Sequence, residues 1–165
     1  MSEKTYNVLI LCTGNSARSI LGEVLFNTLG KGKFKAYSAG SKPAGKVNPG
    51  ALEWLQANGH SLAGLRSKSW DEFAANGAPE FDFIFTVCDN AAGEVCPVWL
   101  GHPATAHWGL PDPAHIAGDE ARRAAFNKAG EQLARRIQLF MALPIAKLDK
   151  ISLKEKLAEI GRIQD

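Results

Sequence analysis

The strongest constraint on the fold is the stretch Cys12-Thr13-Gly14-Asn15-Ser16-Ala17-Arg18-Ser19, which lies directly behind the apolar run Val8-Leu9-Ile10-Leu11. A short continuous apolar run bounded by turn residues reads as a strand buried on both faces, as in parallel sheets. After Ser19 the spacing changes. Ile20, Leu21, Val24, Leu25, Thr28 and Leu29 recur at helical intervals and stop at Gly30. A cysteine therefore stands where a strand passes into a helix, and an arginine closes the turn. Unpaired N–H groups and the dipole at a helix N-terminus attract oxyanions and lower the pKa of a nearby thiol. Five residues separate Cys12 from Arg18, enough for a loop to curl around one tetrahedral anion while Arg18 grips two of its oxygens. Gly14 permits a positive φ, Asn15 tolerates one, and the Ser19 hydroxyl is placed to hydrogen-bond a thiolate. A lone cysteine at a strand end is usually a small buried hydrophobe. The strand before it, the helix after it and the Gly-Asn-Ser interior reverse that reading and make Cys12 a nucleophile in an oxyanion cradle.

The rest of the chain repeats the strand–helix alternation. Lys35 to Ala39 reads as a second strand ending at Gly40, and Ser41 to Val47 as a loop. Asn48 caps a helix with Pro49 at its first position, Leu52 and Leu55 facing inward, and Asn58-Gly59 closing it. Ser69 and Glu72 form a capping box for a short helix to Ala75. Phe81 to Val87 is a β-branched and aromatic strand ending at Cys88, and Ala104 to Trp108 a fourth. From about Asp119 to Ala142, Phe126, Ala129, Leu133, Ile137 and Phe140 fall three or four apart. Arg122, Arg123, Arg135 and Arg136 flank that stripe and read as a solvated surface. Pro144 ends this helix, and Ser152-Leu153-Lys154-Glu155 reads as a capping box opening a tail helix with Leu157 and Ile160. Such alternation predicts an α/β fold, a parallel sheet with helices on both faces. Cys12, Ser38, Cys88 and Asp112 each follow a predicted strand, so they fall on the one rim of such a sheet where ligands bind.

At 165 residues the chain is one domain of ordinary size. A net charge of +2 gives no ground for a nucleic-acid or membrane partner. The start of the chain lacks a signal-peptide apolar segment, and no stretch approaches a membrane span, so a cytoplasmic location is expected. Three cysteines, an odd number, then suggest catalytic or redox thiols rather than structural staples.

The loop Cys12 to Ser19, together with Tyr37-Ser38-Ala39-Gly40, Phe85-Thr86-Val87-Cys88, Cys96-Pro97 and Trp108 to Pro113, resembles the arsenate reductases built on the low-molecular-weight protein tyrosine phosphatase fold. The likeness spans roughly residues 6 to 143, leaving 144 to 165 as a tail outside the shared domain. It implies a four-stranded parallel sheet flanked by helices. It also implies that Cys12 attacks arsenate, that Arg18 and the amides of residues 13 to 19 hold its oxygens, and that Asp112 protonates the departing one. Cys88 matches a second thiol that expels arsenite and leaves a Cys12–Cys88 disulfide. Cys96 matches a third that takes over the bond as Cys88–Cys96, for reduction by thioredoxin, by glutathione with glutaredoxin, or by another small thiol. Reduction of As(V) to As(III) takes two electrons, the number one thiol pair supplies. Phosphate and sulfate would compete as oxyanions, and no tightly bound cofactor is expected. Ala17 replaces a cysteine that related sequences often carry. Some relatives bind potassium through an asparagine, a glutamate, a serine and an aspartate. Asn15, Glu23 and Ser38 match, but Lys68 stands where the aspartate is expected, which argues against a metal site.

Two other readings compete. Cys12, Arg18 and Asp112 would equally serve a phosphatase acting on phosphotyrosine or a small phosphomonoester; Cys88 and Cys96 favour the reductase, because a phosphatase needs only the first cysteine. A metal-binding module using Cys88, Cys96, His102 and His107 lacks the short spacing of structural zinc sites. Asp112 before Pro113 also suits a simple turn, and Trp99 and Trp108 read as packing residues near the rim.

Overall fold

A computed structural model describes residues 5–74, 77–87, 103–114 and 116–163. Strands β1 (Tyr6–Cys12), β2 (Phe34–Gly40), β3 (Phe83–Thr86) and β4 (Ala104–His107) form one sheet in the order β2-β1-β3-β4, every pair parallel. The chain moves from β1 to β2 on one side, then returns past β1 to β3 on the other. The order thus reverses beside β1, and open parallel sheets bind ligands in the crevice at such a switch point. Cys12 is the last residue of β1.

Burial on both faces explains the unbroken apolar run in β1. Val8 and Ile10 join a core with helix α1 (Arg18–Gly30), helix α3 (Asp119–Met141) and helix α4 (Lys150–Gly161). Phe26, Phe83, Phe85, Trp108 and Phe140 fill its centre, with the Phe85 and Trp108 rings stacked at 3.9 Å. Leu9, Leu11 and Ile84 point the other way and meet Ala39 and Phe81, with Tyr37, Trp70 and Phe73 packed alongside. Helix α2 (Pro49–Ala57) starts as its sequence requires, Asn48 Oδ1 accepting from the Gly50 N–H at 2.8 Å. Leu55 and Ala51 are its buried residues, and Leu52 is only half-buried.

The structure departs from the sequence reading in several places. In α1, Phe26 is buried while Thr28 is exposed. The short helix after Ser69 is a single 3₁₀ turn, Trp70–Phe73, and Ala75 lies outside the described residues. Ser69 does cap it, accepting from the Asp71 N–H at 3.1 Å, but Glu72 turns to Arg66 instead of closing a capping box, with contacts of 2.9 and 2.6 Å. Helix α4 begins earlier than Ser152. Its cap is Asp149, whose Oδ1 accepts from the Ser152 N–H at 2.7 Å. Arg136 is not solvated: it is 3% exposed and lies inside the core side of α3. Among the described residues, no helix is long and apolar enough to cross a membrane.

Candidate active site

The loop from Cys12 to Arg18 is held open by the orientation of its peptides. The carbonyls of Thr13, Gly14 and Ser16 accept from the N–H groups of Lys42, Ala44 and Asn48 at 3.0, 2.9 and 2.8 Å. Carbonyl and N–H point in opposite directions across a planar trans peptide. Each carbonyl turned outward therefore turns the following amide, of Gly14, Asn15 and Ala17, toward the loop interior. A ring of inward amides is an anion-binding concavity. Ala17 stands at the N-cap of α1 and has no side-chain oxygen with which to occupy the first-turn amides. Cys12, 6% exposed, forms the floor where β1 enters the loop.

Positive φ falls on Asn15 (φ 45°) and not on Gly14. Asparagine tolerates that region better than most residues, and here its side chain is fixed on every side. Asn15 Nδ2 donates to Ser19 Oγ at 2.8 Å and to Ser38 Oγ at 3.0 Å. Its Oδ1 accepts from the Lys68 N–H at 2.9 Å. Ser38 Oγ in turn donates to Glu23 Oε1 at 2.5 Å, and Lys68 Nζ stands 3.6 Å from the same oxygen. Asn15, Ser19, Ser38 and Lys68 are all buried. Burial pushes the Lys68 ammonium below the ordinary lysine range, with Glu23 offsetting part of the fall and Arg66 adding to it. The Asn15–Ser38–Glu23 group does not fit a bound potassium ion, because Lys68 already places a fixed cation against Glu23.

Arg18 reaches across the mouth of the loop to the segment after β4. Its Nη1 donates to the Leu110 carbonyl at 2.8 Å, and its Nη2 lies 3.6 Å from Asp112 Oδ2. Arg18 is 15% exposed and Asp112 32%, so the pair borders solvent. Asp112 Oδ1 meanwhile accepts from the Ala114 N–H at 2.9 Å. The turn-forming role of an Asp before proline is thus present, and it uses one oxygen while the other faces Arg18.

The fold brings Cys12, Thr13 to Ser19, Ser38 and Asp112 to one rim. Cys88 and Cys96, with Trp99 and His102, lie outside the described residues. His107 Nδ1 pairs with Thr86 Oγ1 at 2.7 Å. Among the described residues no group of three His, Cys, Asp or Glu side chains is arranged to hold a metal. Trp108 is fully buried, a packing residue as its type suggests. Gly40, which ends the second strand as its sequence predicts, presses its backbone on the loop, the close approach that a glycine at a strand end signals.

Residues 7–155 match the family of low molecular weight phosphotyrosine protein phosphatases, and the chain belongs to that family. Its relatives include arsenate reductases. One from Halalkalibacterium halodurans is 33% identical over 134 residues, covering 81% of this chain and 93% of the relative. One from Bacillus subtilis is 32% identical over the same shares of the two chains. The solved arsenate reductase of Archaeoglobus fulgidus superposes with a TM-score of 0.60 at 29% identity, over 79% of this chain and 98% of the other. A solved low molecular weight protein tyrosine phosphatase from T. tengcongensis shares the fold, with a TM-score of 0.58 at 23% identity over 81% and 96% of the two chains.

Proposed function

We propose that this protein reduces arsenate to arsenite. The observation that carries the reading is the loop itself: a buried cysteine at the end of β1, a ring of inward amides, and Arg18 and Asp112 facing each other across the mouth. The relatives named arsenate reductases direct that geometry to arsenate.

Cys12 attacks arsenic as the thiolate and one oxygen leaves as water. Asp112 supplies the proton that this oxygen needs, a step worth about 10²–10⁴ in rate. Arg18 and the amides of Gly14, Asn15 and Ala17 hold the remaining oxygens. These donors are set before the anion arrives, so charge develops against dipoles that need not reorganise. Cys88 then attacks the sulfur of Cys12. The electron pair of the sulfur–arsenic bond stays on arsenic, which departs as arsenite, and a Cys12–Cys88 disulfide remains. Cys96 attacks Cys88, frees Cys12, and presents Cys88–Cys96 to an external dithiol such as thioredoxin or to glutathione with glutaredoxin. Support for these two thiol steps comes from the resemblance of Cys88 and Cys96 to the relay cysteines of the reductases.

The same Cys12, Arg18 and Asp112 suit phosphomonoester hydrolysis, and membership of the phosphatase family favours a slow reaction of that kind as a second activity. The deciding experiment is arsenite release by the purified protein with thioredoxin, thioredoxin reductase and NADPH, and separately with glutathione and glutaredoxin. Multiple turnover with at least one system is expected, and Cys12→Ser should abolish it. Arsenite production that survives Cys12→Ser removes the assignment.

A further inference from the structure

Residues 108 to 112 carry the Leu110 carbonyl and Asp112 to Arg18, so whatever orients that segment controls the mouth of the site. On one side it is tied to the sheet: the Trp108 N–H donates to Thr86 O at 2.7 Å and the Leu110 N–H to Val87 O at 3.1 Å. On the other side stands α4. The Trp108 indole Nε1 donates to the Leu157 carbonyl at 3.0 Å. Gly161 lies so close that a Cβ there would meet His107 O at 2.5 Å and Trp108 Cδ1 at 2.8 Å.

Between the two sits Arg136, projecting from α3. Its Nη1 donates to Trp108 O at 3.0 Å and to Gly109 O at 3.1 Å, and its Nη2 to Ile163 O at 3.0 Å. Burying a guanidinium is unfavourable unless its N–H groups are satisfied, and an apolar side chain would fill the same volume more easily. What an apolar residue cannot do is orient peptides. Two successive carbonyls drawn onto one nitrogen fix the planes of the Trp108–Gly109 and Gly109–Leu110 peptides, immediately before the carbonyl that Arg18 uses. The Ile163 contact adds the chain beyond α4 to the same clasp.

We infer that Arg136 is a positioning residue for Asp112 and the Leu110 carbonyl, and that α4 is a brace for that segment and not an appendage to the domain. The inference rests on the proposed role of Asp112 as proton donor.

The test uses the full-length chain with Arg136→Met, Arg136→Lys, Trp108→Phe and Asp112→Asn, alone and with Arg136→Met combined with Asp112→Asn. Arg136→Met should lower the single-turnover rate of arsenite release about tenfold to a hundredfold, as misplacement of a reacting group by an ångström does. Protection of Cys12 from alkylation by phosphate should shift far less. Arg136→Lys should recover part of the rate. Trp108→Phe, which keeps an aromatic ring but loses the indole N–H and part of the buried volume, should give a smaller loss of the same kind. Added to Asp112→Asn, Arg136→Met should cost little more, because residues acting through one another are not additive. An equal further loss on the Asp112→Asn background overturns the inference, as does a loss no larger than the unfolded fraction measured by circular dichroism. Should Arg136→Met not fold, Trp108→Phe carries the same comparison. Amide hydrogen exchange at Trp108 and Leu110 needs no substrate: faster exchange there with α1 unchanged is expected, and unchanged exchange refutes the brace. A wild-type protein that releases no arsenite with any reductant would end the functional reading, while the exchange result would still decide the brace.

Discussion

Replacing Gly40 with alanine tests how closely the oxyanion loop depends on its backbone neighbours. Gly40 ends β2, and its N–H donates to the Lys68 carbonyl at 2.9 Å. A methyl group built there would lie 2.3 Å from Thr13 O, 2.9 Å from Cys12 O and 3.0 Å from Asn15 N. All three are backbone atoms, so none can swing aside as the end of a side chain would. Contacts of a real Cβ essentially never fall below 3.0 Å, so strand and loop must part by about 0.7 Å, the excess of 3.0 over 2.3 Å. Gly40 does not need a positive φ, so the alanine gains about 0.4–1 kcal/mol from the unfolded chain. Overpacking costs about 1–3 kcal/mol and more where the neighbour cannot give way, so the net effect is destabilising, by about 1–3 kcal/mol. Activity should suffer out of proportion, by about tenfold to a hundredfold, because the displaced atoms belong to the backbone of Cys12, Thr13 and Asn15 in the loop itself. The assay pairs a urea denaturation curve with two activity measurements: arsenite release, and the phosphate concentration that half-protects Cys12 from iodoacetamide. Wild-type release and protection in a folded Gly40→Ala protein would refute the claim that the loop is held rigidly by this contact.

Two further tests address the thiols and the buried lysine. Cys96→Ser should release about one arsenite per protein and then stop, with Cys12 and Cys88 cross-linked in non-reducing mass spectra, whereas sustained turnover with thioredoxin would sink the three-thiol relay. Burial holds Lys68 below its ordinary value, so between the folded and unfolded values the unfolded chain binds more protons, and the stability contributed by this group rises with pH across that alkaline window. The stability of wild type relative to Lys68→Met, read from urea curves, should therefore grow as pH increases there; a constant or shrinking difference would contradict the burial argument.

Local signals explain which parts of the molecule could be read from the sequence. The β1 run, the helical spacing after Ser19, the Asn48-Pro49 start and the break at Pro144 are each decided within a few residues, and the structure carries all four. The loop was legible for the same reason: strand, Cys12, turn residues, Arg18 and helix form one continuous segment. Where two local signals competed, the sequence misled. Asp149 and Ser152 can both cap a helix, and the capping-box pattern at Ser152 to Glu155 hid the cap three residues earlier. Glu72 had a box position available, but the bidentate pairing offered by Arg66 draws it away. Arg136 is the instructive miss. Read by residue type it belonged with its exposed neighbours. Read by spacing it lies three residues after Leu133 and four before Phe140, on the buried stripe of α3. A cation at a core position was the signal, but its partners are carbonyls of Trp108, Gly109 and Ile163, distant in sequence and invisible to any residue code.

The two halves of the site differ in how they are built, and the difference follows from what each must do. In the proposed function the loop presents several amides to an anion at fixed spacing. A chain segment without regular secondary structure holds such a shape only if its outward carbonyls and its one positive-φ residue are over-determined. The Lys42, Ala44 and Asn48 amides supply the first condition, and the Asn15–Ser19–Ser38–Glu23–Lys68 cluster supplies the second, with its polar atoms paired inside a low-dielectric interior. The tasks proposed for Arg18 and Asp112 are the opposite: to meet an incoming anion and, for Asp112, to exchange a proton with it. Their 3.6 Å separation and partial exposure keep them coupled but short of a tight buried ion pair, whose disruption on binding would cost several kcal/mol. An anion that enters can take Arg18 Nη2 in place of Asp112 at little expense, while Nη1 stays on the Leu110 carbonyl. Asp112 stays where its other oxygen, bound to the Ala114 amide, has placed it. A rigid cradle with a loosely paired mouth is what a site needs when it must recognise an oxyanion before donating a proton to it.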